Sequence, residues 1–404
     1  MRRKEQKMAE KKIKIGVIGV GNMGSGHAMM FSDGRCPDFE LVAICDKRTD
    51  RLEKVKASVD EARAKAGITL GELKTFTDAQ EMLDSGLIEA VTVAVPHYDH
   101  PKYVIEAIKR GIHVVCEKPA GVYTEAVKEM NRVAAEHPDV VFAMMFNQRT
   151  NHVYRKMKEI VDSGELGQIK RVNWIITDWY RPQVYYDSGD WRATWSGEGG
   201  GVLLNQCPHQ LDLWQWICGM PCKVDAKLHY GKWHDIEVED DVTAYVEYPN
   251  GATGVFITST GDYPGTNRFE ILLDGGKLVC EKGKLLLYKN KMKESEFSRI
   301  APGPFADPGS TCEEVVGDGE NPQHVGVFNA FAGKLLRGTP LVADGSEGIF
   351  GLTISNAMHL SSWLGRPVEL PFDEKLFKSE LDKRVATSRR LTEVVEQVST
   401  VGSN

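Results

Sequence analysis

Ile13-Lys14-Ile15-Gly16-Val17-Ile18-Gly19-Val20-Gly21-Asn22-Met23-Gly24 is an apolar run that passes into three glycines spaced G-x-G-x-x-G and opens a helical pattern. Strand, tight turn and helix in that order raise the spacing above a chance glycine cluster. Gly19 permits the turn, Gly21 lets the backbone approach a pyrophosphate, and Gly24 lets the helix pack close. The helix N-terminus, with Asn22 and Met23 in its first turn, then faces the negative phosphates, so a dinucleotide is the expected ligand.

Outward from that loop, apolar runs at 13–19, 39–45, 88–95, 112–116 and 140–146 alternate with helical spacing at 50–66, 101–110 and 123–137. The alternation predicts an α/β fold, a doubly wound parallel Rossmann domain over 11–148. Beyond Arg149 the period changes to two, over 169–180, 224–230, 241–248, 253–259, 268–273, 277–281 and 284–288. That pattern predicts an α+β domain over 149–370 with a largely antiparallel open sheet. Helices are expected at 151–163, 204–218, 324–337 and 345–365, with a loop at 298–321. Residues 1–10 and 371–404 read as terminal extensions, the latter able to pack on the domains.

A chain of 404 residues exceeds one compact core, which agrees with two domains. The net charge of −7, with both signs mixed, argues against nucleic acid and anionic membrane surfaces, which select a basic face. No apolar stretch reaches the roughly 18 residues of a membrane span, and the charged start reads as a frayed tail, not a targeting signal. Eight cysteines form no C-x-x-C pair, so they fit small buried hydrophobes in a reducing cytoplasm. Cys218 and Cys222 lack a second ligand pair, and no metal is expected.

Asp46 ends the second expected strand 22 residues after Gly24, where a carboxylate can accept from a ribose 2′-hydroxyl. That spacing favours NAD; Lys47 and Arg48, directly after it, would accommodate the 2′-phosphate of NADP. The alternative for Asp46 is a turn cap. Farther along, Pro119 keeps Lys118 extended at the carboxyl end of the fifth strand, where doubly wound folds bind ligands and where an ammonium can stabilise alkoxide character. Asn205, His209 and Asp212 fall at i, i+4 and i+7 after a glycine run, which puts them on one face of a helix beginning or kinking near Asn205. Histidine has the unperturbed pKa suited to moving a proton near neutrality.

Taken together, the glycine loop, Asp46, the turn Val95-Pro96-His97-Tyr98-Asp99-His100, Glu117-Lys118-Pro119 and the glycine-rich run to His209 resemble the Gfo/Idh/MocA oxidoreductase family over nearly the whole chain. The resemblance implies that Lys118 and His209 are catalytic, with a substrate hydroxyl between them and NAD as hydride acceptor. It also implies that Val95, Pro96, His97, His100 and Glu117 line the cofactor, and that subunits pair as a dimer or tetramer. Many members carry an aspartate four residues before the histidine. Here it is Asn205, which can orient a group but cannot take a proton.

Six of the eight tryptophans fall between Trp174 and Trp216. Trp179, Tyr180, Arg181, Tyr185, Tyr186, Trp191, Arg192 and Trp195 precede His209, while Trp174, Trp214 and Trp216 read as interior packing. Aromatic walls with Arg and Asn suit the apolar faces and hydroxyls of a sugar, glycoside or cyclic polyol. The expected reaction is NAD-dependent oxidation of a ring hydroxyl, with C3 of a glucoside as one site. The alternatives are an NAD-dependent glycosidase acting through transient oxidation and elimination, and a non-enzymatic NAD and sugar sensor.

Overall fold

The computed structural model describes residues 11–389. Six strands, β1 (Ile13–Ile18), β2 (Phe39–Cys45), β3 (Lys74–Phe76), β4 (Ala90–Val93), β5 (His113–Cys116) and β6 (Phe142–Met144), form a parallel sheet ordered β3-β2-β1-β4-β5-β6. All four residues of β4 are buried, as expected of strands covered on both faces by helices. The strand order reverses between β1 and β4, which opens a crevice at their carboxyl ends. The glycine loop, Ala94-Val95-Pro96 and Glu117-Lys118 all leave strands at that edge.

A second, nine-stranded sheet contains β7 (Ile169–Ile176), β8 (Lys223–Tyr230), β9 (Glu239–Glu247), β10 (Thr253–Ser259), β11 (Asn267–Leu273), β12 (Gly276–Glu281), β13 (Lys284–Asn290), β14 (Ser310–Val315) and β15 (Val368–Glu369). Its order is β14-β13-β12-β11-β7-β10-β9-β8-β15, antiparallel throughout except for the parallel pair β7 and β10. In β9, Val242, Ala244 and Val246 point inward while Thr243 and Tyr245 face out, the period-two pattern of a sheet covered on one side. Trp174 stacks on Phe269 at 4.0 Å and Trp214 on Phe256 at 5.1 Å, so both tryptophans are interior. Trp216 is partly buried beneath the Arg149 and Lys158 cations. No helix among the described residues is long and apolar enough to cross a membrane.

Two local expectations change. The stretch 298–321 is not one loop, because it carries the end of the helix Glu294–Ile300 and the edge strand β14, whose five exposed side chains leave no apolar alternation to read. The helix expected from 204 starts at Pro208, which occupies the first turn, where its missing N–H costs nothing. Asn205 therefore lies in the preceding turns and shares no helical face with His209 and Asp212.

The helix Gln323–Arg337, expected at 324–337, returns to the first sheet. Phe328 meets Phe31 at 4.6 Å and Phe331 stacks on Phe39 at 6.4 Å. Within the stretch read as a terminal extension, the helix Glu374–Ala386 buries Phe377 and Leu381, with Phe377 against Trp363 at 5.3 Å. Residues 390–404 of that stretch, and residues 1–10, lie outside the described residues.

Candidate active site

Two of the three loop glycines are fixed by packing. Gly19 has φ +84°, and a Cβ there would lie 2.4 Å from the Ala94 carbonyl; one on Gly24 would lie 1.8 Å from the Gly19 carbonyl. Gly21 differs. Its φ is −68°, and nothing lies within 4 Å of where its Cβ would stand. The helix it opens, Asn22–Met30, has no side-chain cap and no acidic residue in its first turn. Free N–H groups facing open space form a cradle that fits a pyrophosphate.

Asp46 sits beside that cradle. One carboxylate oxygen accepts from the Val20 N–H at 3.0 Å and the other from the Arg48 N–H at 3.0 Å, so the turn-capping reading is realised. A carboxylate has about four acceptor sites, so ribose hydroxyls can still be received. Lys47 and Arg48 are exposed, and the Arg48 guanidinium pairs with Asp50.

Along the β4 end, Pro96 is exposed and Val95 half-buried, whereas His97 and His100 turn inward. His97 Nδ1 is 3.1 Å from the Glu198 carbonyl, and its ring meets Trp191 edge-on at 5.9 Å. His100 Nδ1 lies 2.6 Å from the Pro119 carbonyl, which anchors the corner after Lys118. Burial pushes both imidazoles below their ordinary pKa, favouring the neutral rings.

Glu117 is buried between two chain-distant histidines. Its Oε1 is 3.0 Å from His27 Nε2 and 3.8 Å from His324 Nε2, and its Oε2 accepts from the Lys118 N–H at 3.1 Å. Burial alone would raise this carboxyl; His27, then His324 and Lys118, hold it well below the usual range. His27 Nδ1 in turn lies 3.2 Å from Thr92 Oγ1. The ligating atoms of His27, Glu117 and His324 fall within 4.8 Å of one another, a grouping sequence reasoning missed. The only signal was His27 three residues past Gly24; nothing tied His324 to it.

Lys118 Nζ donates to the Asn205 carbonyl at 3.0 Å. Burial lowers its pKa, while the Glu117 and Glu198 charges favour its protonated form. His209 is the second residue of the helix Pro208–Cys218, partly exposed, with Nδ1 sealed and unpartnered. The nitrogen left to meet a substrate is therefore Nε2. Burial and the Lys118 charge push the ring well below its ordinary pKa, so it is neutral and able to accept a proton.

The aromatic segment divides. Tyr185 donates to Asn205 Oδ1 at 3.4 Å and accepts from Arg192 at 2.9 Å and from Gln206 at 3.3 Å. Arg192 lies over the Tyr185 and Trp191 rings at 4.6 and 4.7 Å, and Arg181 over Tyr185 at 5.2 Å. Tyr186, expected in the same wall, is buried, with its hydroxyl committed to Thr260 at 2.7 Å. Tyr180 is set apart as well, its exposed ring against Tyr263. Trp195 packs inside against Trp363 and Tyr230. Asp212 is buried in a two-pronged pair with Arg149, at 2.6 and 2.8 Å, and Arg149 also reaches Glu347 at 2.6 Å.

Comparison with known proteins agrees with the fold, a parallel Rossmann sheet followed by a mostly antiparallel one. Residues 13–145 match the model of an oxidoreductase family with an NAD-binding Rossmann fold, and residues 154–279 match the GFO/IDH/MocA C-terminal domain. The chain is 24% identical over 368 residues to a myo-inositol 2-dehydrogenase of Thermotoga maritima, covering 89% of this chain and 98% of that protein. It is 26% identical over 262 residues to a D-glucoside 3-dehydrogenase of Escherichia coli, covering 60% and 69% respectively. Among solved structures it is similar to the WlbA dehydrogenase from Bordetella pertussis in complex with NADH and UDP-GlcNAcA. That match has a TM-score of 0.74 and 26% identity, and covers 91% of this chain and all of the other. With one family model over each sheet, the chain belongs to the Gfo/Idh/MocA family and is an NAD-binding dehydrogenase.

Proposed function

We propose that this dehydrogenase oxidises a ring hydroxyl of a sugar, a glycoside or a cyclic polyol, with C3 of a glucoside as one candidate position. The carrying observation is the single hydrogen-bonded cluster of Lys118, Asn205, Tyr185 and Arg192, at the strand edge that holds the cofactor cradle. Trp191 and Tyr185 offer ring faces to apolar C–H surfaces, and Arg192 offers donors to hydroxyls. The inositol and glucoside dehydrogenases among the relatives support the same substrate class.

In this reading Gly19, Gly21, Asn22, Met23 and Gly24 hold the pyrophosphate and Asp46 the ribose. Val95, Pro96, His97, His100 and Glu117 border the nicotinamide. Bound NAD supplies the hydride acceptor. Lys118 donates a hydrogen bond to the reacting oxygen and stabilises its developing negative charge. Neutral His209 takes the hydroxyl proton at Nε2, and Asn205 orients both the lysine and the substrate.

The test is NADH absorbance on mixing the protein and NAD with methyl glucosides, levoglucosan and myo-inositol, with product analysis alongside. NADH growth with at least one member supports the reading, and growth with none overturns it. Release of aglycone without net NADH would favour the glycosidase instead. His209→Ala is expected to lower turnover by at least about 100-fold while NAD affinity stays within threefold.

A further inference from the structure

Glu198 stands next to this cluster and has no part in the chemistry above. Its side chain is sealed, at 2% exposure, yet among the described residues no cation lies within ion-pair distance of it. Its carboxylate is met by two N–H donors. The Ala193 backbone donates to Oε2 at 2.6 Å, and Asn205 Nδ2 donates to Oε1. To present that N–H, Ala193 holds φ +54°, a left-handed conformation that alanine avoids. The same loop needs Gly197, where a Cβ would stand 2.3 Å from the Trp191 carbonyl. A strained, glycine-dependent loop around one buried carboxylate points to a function for that carboxylate.

Building on the reading above, we propose that Glu198 is a positioning residue that sets the polarity of Asn205, holding its Oδ1 toward the cleft as an acceptor for a substrate hydroxyl. A primary amide can flip, presenting either its oxygen or its NH₂. An ionised carboxylate only accepts, so Asn205 must turn Nδ2 toward Glu198, and Oδ1 is left on the side where Tyr185 meets it. The same carboxylate favours the charged form of Lys118, whose Nζ hydrogen-bonds the Asn205 carbonyl. One buried charge thus fixes an acceptor and supports a donor on either side of the substrate position. Burial raises the Glu198 carboxyl, while the Arg192 charge and the Ala193 and Asn205 donors oppose that rise.

The test is a swap. Glu198→Gln frees Asn205 to flip and is expected to lower kcat/KM by about 10-fold, the worth of one hydrogen bond, mainly through KM, for the best-oxidised member of the sugar panel. Asn205→Asp alone sets two carboxylates face to face and is expected to lose at least as much. The double variant E198Q/N205D restores an amide and a carboxylate in contact, with the acceptor toward the cleft now supplied by the carboxylate, and should return to within about threefold of the parent. Each protein is also melted, and NAD affinity is measured by titration; the double variant keeps the pair and guards against a folding defect in either single one. Glu198→Gln within twofold of the parent, or a double variant no better than the worse single one, overturns the proposal. A parent that oxidises no panel member removes the proposed function instead, which separates the two failures.

Discussion

Gly21→Ala and Gly24→Ala put the same methyl group into one loop three residues apart, and the structure assigns them opposite consequences. At Gly21 the backbone is in an ordinary region and the new Cβ meets nothing within 4 Å, so stability should change by no more than about 0.5 kcal/mol. The same methyl occupies the space into which the backbone N–H groups face a pyrophosphate. Losing one charge-assisted hydrogen bond costs about 1.5–3 kcal/mol, or about 10- to 100-fold in the Kd for NAD. At Gly24 the Cβ would stand 1.8 Å from the Gly19 carbonyl, a backbone atom in a turn that is itself pinned against Ala94. Overpacking of that kind costs at least about 3 kcal/mol, a large part of a total stability of about 5–15 kcal/mol. Thermal melting and isothermal titration with NAD separate the two effects. Gly21→Ala should melt within about 2 °C of the parent and bind NAD weakly, whereas Gly24→Ala should melt several degrees lower. A destabilised Gly21→Ala, or one that binds NAD as the parent does, would refute the assignment of that open space to the cofactor.

Other consequences are equally direct. His209 must be neutral to accept a proton, and its pKa is depressed by burial and then by Lys118. The acid limb of kcat/KM should therefore lie below pH 6.5, with activity lost only as pH falls through the depressed value; an acid limb above 6.5 would contradict this. Lys118, also lowered by burial, should lose its proton below 10.5 and set an alkaline limb below that value in the same profile. Arg149→Met strands the buried Asp212 carboxylate and should cost about 3–5 kcal/mol in urea denaturation, since removing one partner leaves the other charge uncompensated. Tyr185→Phe should raise KM for the sugar several-fold. Tyr186→Phe should leave KM within twofold and cost about 1 kcal/mol of stability through its lost bond to Thr260.

The cofactor crevice was legible because its signals are local: a strand, three glycines and a helix within twelve residues, with a carboxylate at the next strand end. Lys118 was equally legible, since an apolar run ending in Glu-Lys-Pro fixes both the strand and its edge. Where the reading failed, the information was tertiary. Pro208 decided where its helix begins, so a face drawn through Asn205, His209 and Asp212 did not form. Asn205 is still brought to Lys118, Tyr185 and Glu198, carried by turns and not by the helix. Tyr185 and Tyr186 are adjacent, and only the fold tells that one hydroxyl joins Asn205 and Arg192 while the other bonds Thr260 in the interior. The edge strand β14 lacked apolar periodicity, and Glu198 looked like any carboxylate beside a glycine run.

His324 shows why the crevice cannot be read from the first half of the chain alone. Phe328 and Phe331, one and two helical turns beyond it, are anchored on Phe31 and Phe39, so the position of His324 is set by the core of the first sheet. That placement brings its Nε2 to Glu117, which already faces His27 from the glycine-loop helix. Glu117 in turn holds the backbone N–H of Lys118 through its other oxygen. The carboxylate therefore links three elements: the helix that opens the cofactor cradle, the strand that delivers the lysine, and a helix about two hundred residues later. Burial pushes the His324 imidazole down to about 4, so replacing it removes a neutral ring beside this carboxylate and leaves the Glu117 contacts to His27 and to the Lys118 N–H in place. Glu117 thus ties His27 and Lys118 together within the first half of the chain, and His324 closes over that pair only when the chain returns to its first sheet.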